Sequence, residues 1–276
     1  MSVTVWQAVL LGFVQGLTEF LPVSSTAHLA LVQHFLPGFS QPGILFDVLL
    51  HLGTLVAVVI YFRFRLLEIL FGILGKDPEG RRASWRLVGL LVLAVAATAL
   101  GTLPLKKLAV EGMTEFRRIG VALLAMSALL TVAQRVGQKR GEEGRTLSQV
   151  SALDAFLIGL LQTLSAIFHG FSRSGNTISM GLFRGLSRKA AAEFSFLLSI
   201  PTILAAAAVE LLSAYRHGTG LAGSSFAANM AGLVVAGVVG YAAVALLFRL
   251  VVAMRLLPFI LYTAALGLVL IAVPLG

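Results

Sequence analysis

The chain has 276 residues, 58% of them hydrophobic and only 12% charged, with a mean hydropathy of +0.95. A soluble domain carries about 25% charged residues, so this composition excludes a water-soluble globule, a disordered chain and a nucleic-acid coat, and leaves an integral membrane protein. The net charge of +9 then reads as basic loops near anionic headgroups, and the lack of cysteine excludes disulfides, thiolate metal sites and cysteine nucleophiles.

In chain order, apolar runs alternate with short polar breaks. Val3–Leu21 is apolar enough for a helix and ends at Pro22 and the cluster Ser24-Ser25-Thr26. Its start, Met1–Gln7, has no basic stretch and no small-residue cleavage site follows, so it reads as a retained first helix and not a signal peptide. Leu21–Phe35 is too interrupted to cross a bilayer simply, since a crossing takes about 20 apolar residues. Phe46–Phe62 is a second run, closed by Arg63 and Arg65. Leu87–Leu103 and Ile119–Val136 are cleaner spans, beside the charged connectors Lys76–Arg86 and Lys106–Arg118. Residues 137–145, with Glu142, Glu143 and Gly144, read as a linker between halves 1–136 and 146–276. Ala155–His169 follows, then a second interrupted stretch, His169–Phe183, then Phe194–Leu212, Phe226–Phe248 and Phe259–Val273. The fold class expected is all-α, a polytopic membrane helical bundle.

The halves match. Gly12-Phe-Val-Gln15 resembles Gly159-Leu-Leu-Gln162, 147 residues on, and Ser24-Ser25-Thr26 aligns with Ser172-Arg173-Ser174 at 148. At 148 also, Phe46, Leu50, Thr54 and Ala57 face Phe194, Leu198, Thr202 and Ala205. Two hydroxyl-rich breaks, each followed by a similar span, imply an internal repeat, of inverted topology if each half holds an odd number of crossings. Interrupted segments at matching positions in two halves point to a binding site.

Ionisable groups within apolar runs mark function in a bilayer. Glu19 precedes the first break, and Gln15 lies four residues earlier on the same helical face. Ser24, Ser25 and Thr26 supply hydroxyls, and His28 lies three residues beyond Ser25. In the second break Arg173 stands between Ser172 and Ser174, a planar guanidinium flanked by hydroxyls and suited to a phosphate group. Gly175 lets the backbone approach closely, and a helix starting near Asn176 adds N–H donors and positive dipole. Asp47, Glu193 and Glu210 read as helix-end or interfacial acids; His34, His51, His169 and His217 carry weaker signals. On the residues alone, an enzyme and a transporter or flippase of an anionic lipid or small anion remain open.

Two stretches resemble a known family. Gln15-Gly-Leu-Thr-Glu19-Phe-Leu-Pro-Val-Ser24-Ser25-Thr26-Ala-His28-Leu and Gly170-Phe-Ser172-Arg173-Ser174-Gly175-Asn176-Thr177-Ile-Ser are similar to the two long motifs of the bacterial undecaprenyl-pyrophosphate phosphatases, the bacitracin-resistance membrane proteins. Phe46-Asp47 through Leu55 and Glu193 through Pro201 fit as well, so the resemblance spans nearly the whole chain. It implies removal of the terminal phosphate from a C55 polyprenyl diphosphate, which returns the lipid carrier to cell-wall synthesis. It also implies an inverted repeat with two re-entrant helical hairpins, a divalent cation (Mg2+ or Ca2+), and a plasma-membrane site open to the outer face. By position Glu19, Ser25, His28, Ser172, Arg173 and Thr177 match functional residues of the family. Glu19 is the expected metal ligand, and Glu19, Ser25, His28 and Arg173 the expected catalytic set. Gln15, Ser24, Thr26, Ser172, Ser174, Asn176 and Thr177 are expected around the substrate. Whether Ser25 or His28 attacks phosphorus stays open. The chain departs from many members at Gln15 (glutamate), His169 (proline) and Asn176 (alanine). The expected partners are the lipid substrate and the bilayer, without nucleic acid.

Overall fold

The computed structural model describes residues 3–39, 44–102, 104, 116–140, 143–217 and 225–273. Among them are eleven α-helices: α1 (Val5–Glu19), α2 (Ser25–Phe35), α3 (Ile44–Tyr61), α4 (Arg63–Leu74), α5 (Pro78–Thr102), α6 (Phe116–Arg140), α7 (Ala152–Ile167), α8 (Arg173–Phe183), α9 (Arg188–His217), α10 (Phe226–Val252) and α11 (Leu257–Ala272). Four of them, α5, α6, α9 and α10, contain stretches of 24 to 29 residues long and apolar enough to cross a bilayer. Shorter apolar helices cover Phe46–Tyr61, Ala152–Ile167 and Leu257–Ala272. The chain is an all-α polytopic membrane protein. At 11 residues each, α2 and α8 are about 16 Å long, roughly half the hydrocarbon thickness. Each packs back on the helix before it, α1 or α7, as a helical hairpin.

Several boundaries differ from the sequence reading, for local reasons. The connector Lys76–Arg86 is largely helical. Asp77 accepts the N–H groups of Glu79 (3.2 Å) and Gly80 (2.8 Å), and Pro78 opens α5, a cap that starts the helix nine residues before its apolar part. Helix α4 was hidden by its charges. Phe64, Leu67, Leu70, Phe71 and Leu74 form an exposed apolar stripe at helical spacing, and no residue of α4 is buried. That pattern fits a helix lying at the membrane surface. Helix α6 runs on through the polar Gln134–Arg140, so only the end of the 137–145 linker is non-helical, with Gly141 and Glu142 outside the described residues. Most of Lys106–Arg118 also lies outside them.

Two compact units draw on both halves of the chain. In the first (residues 1–21, 25–61 and 199–246), Ala8 and Leu11 of α1, Leu29 of α2, Phe46 and Leu50 of α3, and Ala228 of α10 form the apolar core. Close packing rests on small residues. A methyl group at Gly12 would strike the Gly232 carbonyl, one at Gly16 would come within 2.7 Å of the Ala236 carbonyl oxygen, and one at Gly53 would strike that of Leu233. Thus α1 and α3 both seat on α10 at glycine contacts. Such contacts carry helix association in lipid, where burial of apolar surface supplies little drive.

In the second unit (residues 22–24, 62–198 and 247–276), α7 lies against α5 at Gly159 and Ala94. Thr98 bridges the pair, donating to the Gly159 carbonyl (2.8 Å) and accepting from Gln162 Nε2 (2.8 Å). Helix α11 crosses α6 at Gly120 and Gly267, and Ser127 donates to the Ile260 carbonyl at 2.9 Å.

These contacts predict unequal tolerance among glycines. Gly12→Val should cost about 1–3 kcal/mol or more through overpacking against α10, read as a lower melting temperature in detergent. Gly89→Ala, with nothing within 4 Å of the new methyl, should leave that temperature unchanged or raise it.

Candidate active site

The first cluster forms where α1 ends and α2 begins. Glu19, the last residue of α1, is buried among apolar side chains at 7% exposure. Its Oε2 accepts from Gln15 Nε2 at 3.0 Å and from Ser25 Oγ at 2.7 Å. The first spacing follows from one helical turn and the second from the five-residue break. His51 of α3 completes the group, with Nε2 3.6 Å from the same carboxylate oxygen. Its Nδ1 lies 2.8 Å from the Asp47 carbonyl, so Nδ1 carries a hydrogen and Nε2 is left to face Glu19. Asp47 in turn accepts from Gln33 Nε2 at 3.1 Å. His28 is buried on α2, three residues beyond Ser25 and on its face of the helix. Gln15, Glu19 and Ser25 are therefore one hydrogen-bonded chain, of which the sequence spacing indicated only that Gln15 and Glu19 share a helical face. His51 is the member that sequence reasoning passed over, and its signal was a polar residue four positions after Asp47 in an apolar run.

The second cluster is the tip of the α7–α8 hairpin. Ser172 caps α8, its Oγ accepting the Gly175 N–H at 3.2 Å and lying 3.0 Å from Ser174 Oγ. Arg173 is then the first helical residue, where the helix dipole is positive and an anion is favoured. Gly175 sits in a tight spot: a methyl there would lie 2.5 Å from Met126 Cε, the movable end of that side chain, and 3.2 Å from Pro22 Cβ. Thr177 faces inward, 2.6 Å from Ser195 Oγ and donating to the Arg173 carbonyl at 2.9 Å, so it braces α8 against α9. Ser24 adopts φ +70°, and its Oγ accepts the N–H of Gly170, itself at φ +112°, at 3.1 Å. A left-handed serine is uncommon, and here it gives the bend at Gly170 its hydrogen bond. Thr26 is half-buried one position past Ser25.

Among the buried polar atoms with no hydrogen-bond partner in the described residues are Oε1 of Gln15 and both amide atoms of Asn176. Asn176 is wholly enclosed, and such orphaned groups each call for an explanation. No cluster of three or more His, Asp or Glu side chains able to hold a metal occurs among the described residues. The donors at the first cluster, one carboxylate, one amide oxygen and one hydroxyl, suit a hard cation that completes its shell with substrate oxygens and water. The orphaned Gln15 Oε1 fits that role.

Over residues 8–269 the chain matches the family described as Bacitracin resistance protein BacA. It is 40% identical over 260 residues to an undecaprenyl-diphosphatase of Syntrophotalea carbinolica, covering 94% of this chain and 95% of that protein. Likewise it is 40% identical over 275 residues to one of Gemmatimonas aurantiaca (98% and 97% covered), and 41% identical over 266 residues to one of Carboxydothermus hydrogenoformans (95% and 94% covered).

The unpaired amide makes a prediction. Replacing a buried unsatisfied group by an apolar one of similar size relieves about 1–3 kcal/mol, so Asn176→Leu should raise the melting temperature. The same variant should lower kcat/KM about tenfold, the scale of one hydrogen bond to a charged ligand. An unchanged kcat/KM would return Asn176 to packing alone.

Proposed function

The chain belongs to the BacA family of bacitracin resistance proteins, and from that premise we propose that it hydrolyses undecaprenyl diphosphate to the monophosphate and inorganic phosphate in the bacterial plasma membrane. The observation that carries the mechanism is the 2.7 Å hydrogen bond from Ser25 Oγ to Glu19, a hydroxyl aimed at a buried carboxylate.

Ser25 is the nucleophile. Its oxygen forms a bond to the terminal phosphorus, the bond from that phosphorus to the bridging oxygen breaks, and polyprenyl monophosphate departs with the electron pair. The Ser25 proton passes to Glu19, which Gln15 and His51 hold in place. Water then cleaves the phosphoserine, releasing phosphate, and His28 on the same face of α2 is the group suited to activate it. Arg173, at the first turn of α8, opposes the negative charge of the diphosphate, with Ser172, Ser174 and Asn176 nearby in the same turn. A divalent cation held by Glu19 and Gln15 would supply further positive charge against the phosphates. Residues 63–86 carry six basic and three acidic side chains, a bias that favours the cytoplasmic side for that segment without fixing the topology. The outward-facing site that the family resemblance implies belongs to the same proposal.

Purified protein given polyprenyl diphosphate should release inorganic phosphate, whereas a transporter would release none. Ser25→Ala should abolish turnover, and Glu19→Gln should slow it about 10²–10⁴-fold, the range of general-base assistance. A phosphoryl-enzyme trapped with labelled substrate should be acid-stable; acid lability would move the attack to His28. Arg173→Lys keeps the charge but loses the planar fork, and should fold normally with turnover at least tenfold lower, about the worth of one charge-assisted hydrogen bond.

A further inference from the structure

The open ends of the two helical hairpins are closed by residues in matching positions. Helix α1 starts with a capping box in which Thr4 Oγ1 accepts the Gln7 N–H (3.4 Å) and Gln7 Oε1 accepts the Thr4 N–H (2.9 Å). Helix α7 starts with the same box 147 residues later. Ser151 Oγ accepts the Asp154 N–H (3.2 Å), and Asp154 Oδ2 accepts the Ser151 N–H (2.9 Å). In both hairpins the side chain at the third helical position then reaches across to the far end of the second helix. Gln7 Nε2 donates to the Pro37 carbonyl at 3.1 Å, just past α2. Asp154 Oδ1 accepts from Arg184 Nε at 2.8 Å, at the C-cap of α8. Pro37 and Arg184 are again 147 residues apart, and the carbonyls of both are bonded, that of Arg184 by an Arg145 guanidinium nitrogen at 2.5 Å.

The chemistry of the two closures differs. The first uses a neutral amide. The second buries Asp154 completely between two partly exposed guanidiniums, Arg145 at 2.6 Å and Arg184 at 2.8 Å. A buried carboxylate is expensive to desolvate, and Gln7 shows that a neutral side chain suffices to close a hairpin. The second hairpin, however, carries Arg173 at its tip. Helix α8 is a rigid rod of about 16 Å with Arg173 at one end and Arg184 at the other. Its exit is pinned further, since Arg145 N–H donates to the Gly185 carbonyl and Ser187 N–H to that of Arg145, both at 2.9 Å.

We propose that Asp154 is a positioning residue, which with Arg145 and Arg184 fixes how far α8 can slide along α7 and so fixes the depth of the Arg173 guanidinium. The proposal rests on the diphosphatase reading for its consequence in turnover, but not for the order of α8 itself.

Two readouts test it. Asp154→Asn keeps the shape and removes the charge, leaving Arg145 and Arg184 to the solvent that already reaches both, and Arg184→Gln alters a side chain that is only partly buried, so at least one variant should fold. In either, hydrogen exchange at the amides of residues 173–178, measured in detergent without substrate, should quicken several-fold. With polyprenyl diphosphate, kcat should fall about 10- to 100-fold, the scale of a displacement near 1 Å, with KM little changed. In an Arg173→Lys background the same substitution should cost under about twofold more, because both changes act through one group. Losses that multiply fully with Arg173→Lys, or that only track the folded fraction, would overturn the proposal. So would unchanged exchange at 173–178. If wild-type protein releases no phosphate, the diphosphatase reading fails, and exchange still decides whether Asp154 holds α8.

Discussion

A helix that ends within the hydrocarbon layer leaves backbone N–H and C=O groups with no water to turn to, and each such group costs several kcal/mol. This chain stops helices in apolar surroundings twice, after Glu19 and after Ile167, and the local chemistry around both breaks answers that cost. At the first, the chain turns through Ser24 at φ +70°. At the second, Gly170 takes φ +112° and gives its N–H to Ser24, while Ser172 caps α8 through the Gly175 N–H. The residues that let the backbone turn are also those that bring hydroxyls and an arginine to the tips of the hairpins.

The same constraint shapes the chemistry. Glu19 is buried and accepts hydrogen bonds from Gln15 and Ser25, with Nε2 of the His51 ring 3.6 Å away. A carboxylate so enclosed is poised against the Ser25 hydroxyl that donates to it. Arg173 is placed at the opposite polarity, on the positive end of α8. Ser24 and Ser25 are consecutive, yet the first braces the arginine hairpin and the second is bonded to the carboxylate. Gln15 and Gln162 show the other side of a repeat: one bonds Glu19 within its own hairpin, whereas its counterpart bonds Thr98 and ties α7 to α5. Equivalent positions have been given unequal work.

Much of this was legible in the chain. The apolar runs marked the long helices, and the breaks at Pro22–Thr26 and Ser172–Ser174 marked the hairpins. Glu19 and Arg173 stood out because charge in an apolar run is costly, and Gln15 followed from helical spacing. Helix α4 was not legible: Arg63, Arg65 and Glu68 broke the run, and its apolar stripe faces outward with nothing buried. The early start of α5 was overlooked because a cap at Asp77-Pro78 acts locally and carries no hydropathy signal.

Composition and periodicity by themselves determined that this is a polytopic helical membrane protein with two interrupted segments, because desolvation acts on every residue according to its type alone. They also determined the Gln15–Glu19 pairing, since one helical turn sets that distance. Contacts between elements distant in sequence were decided only by tertiary structure. His51 meets Glu19 because α3 packs beside α1, and Asp154 meets Arg145 and Arg184 because α7, the end of α8 and the segment before α7 converge. No spacing rule encodes such meetings, for they depend on glycine contacts and side-chain packing that bring separate helices within a few ångströms of one another.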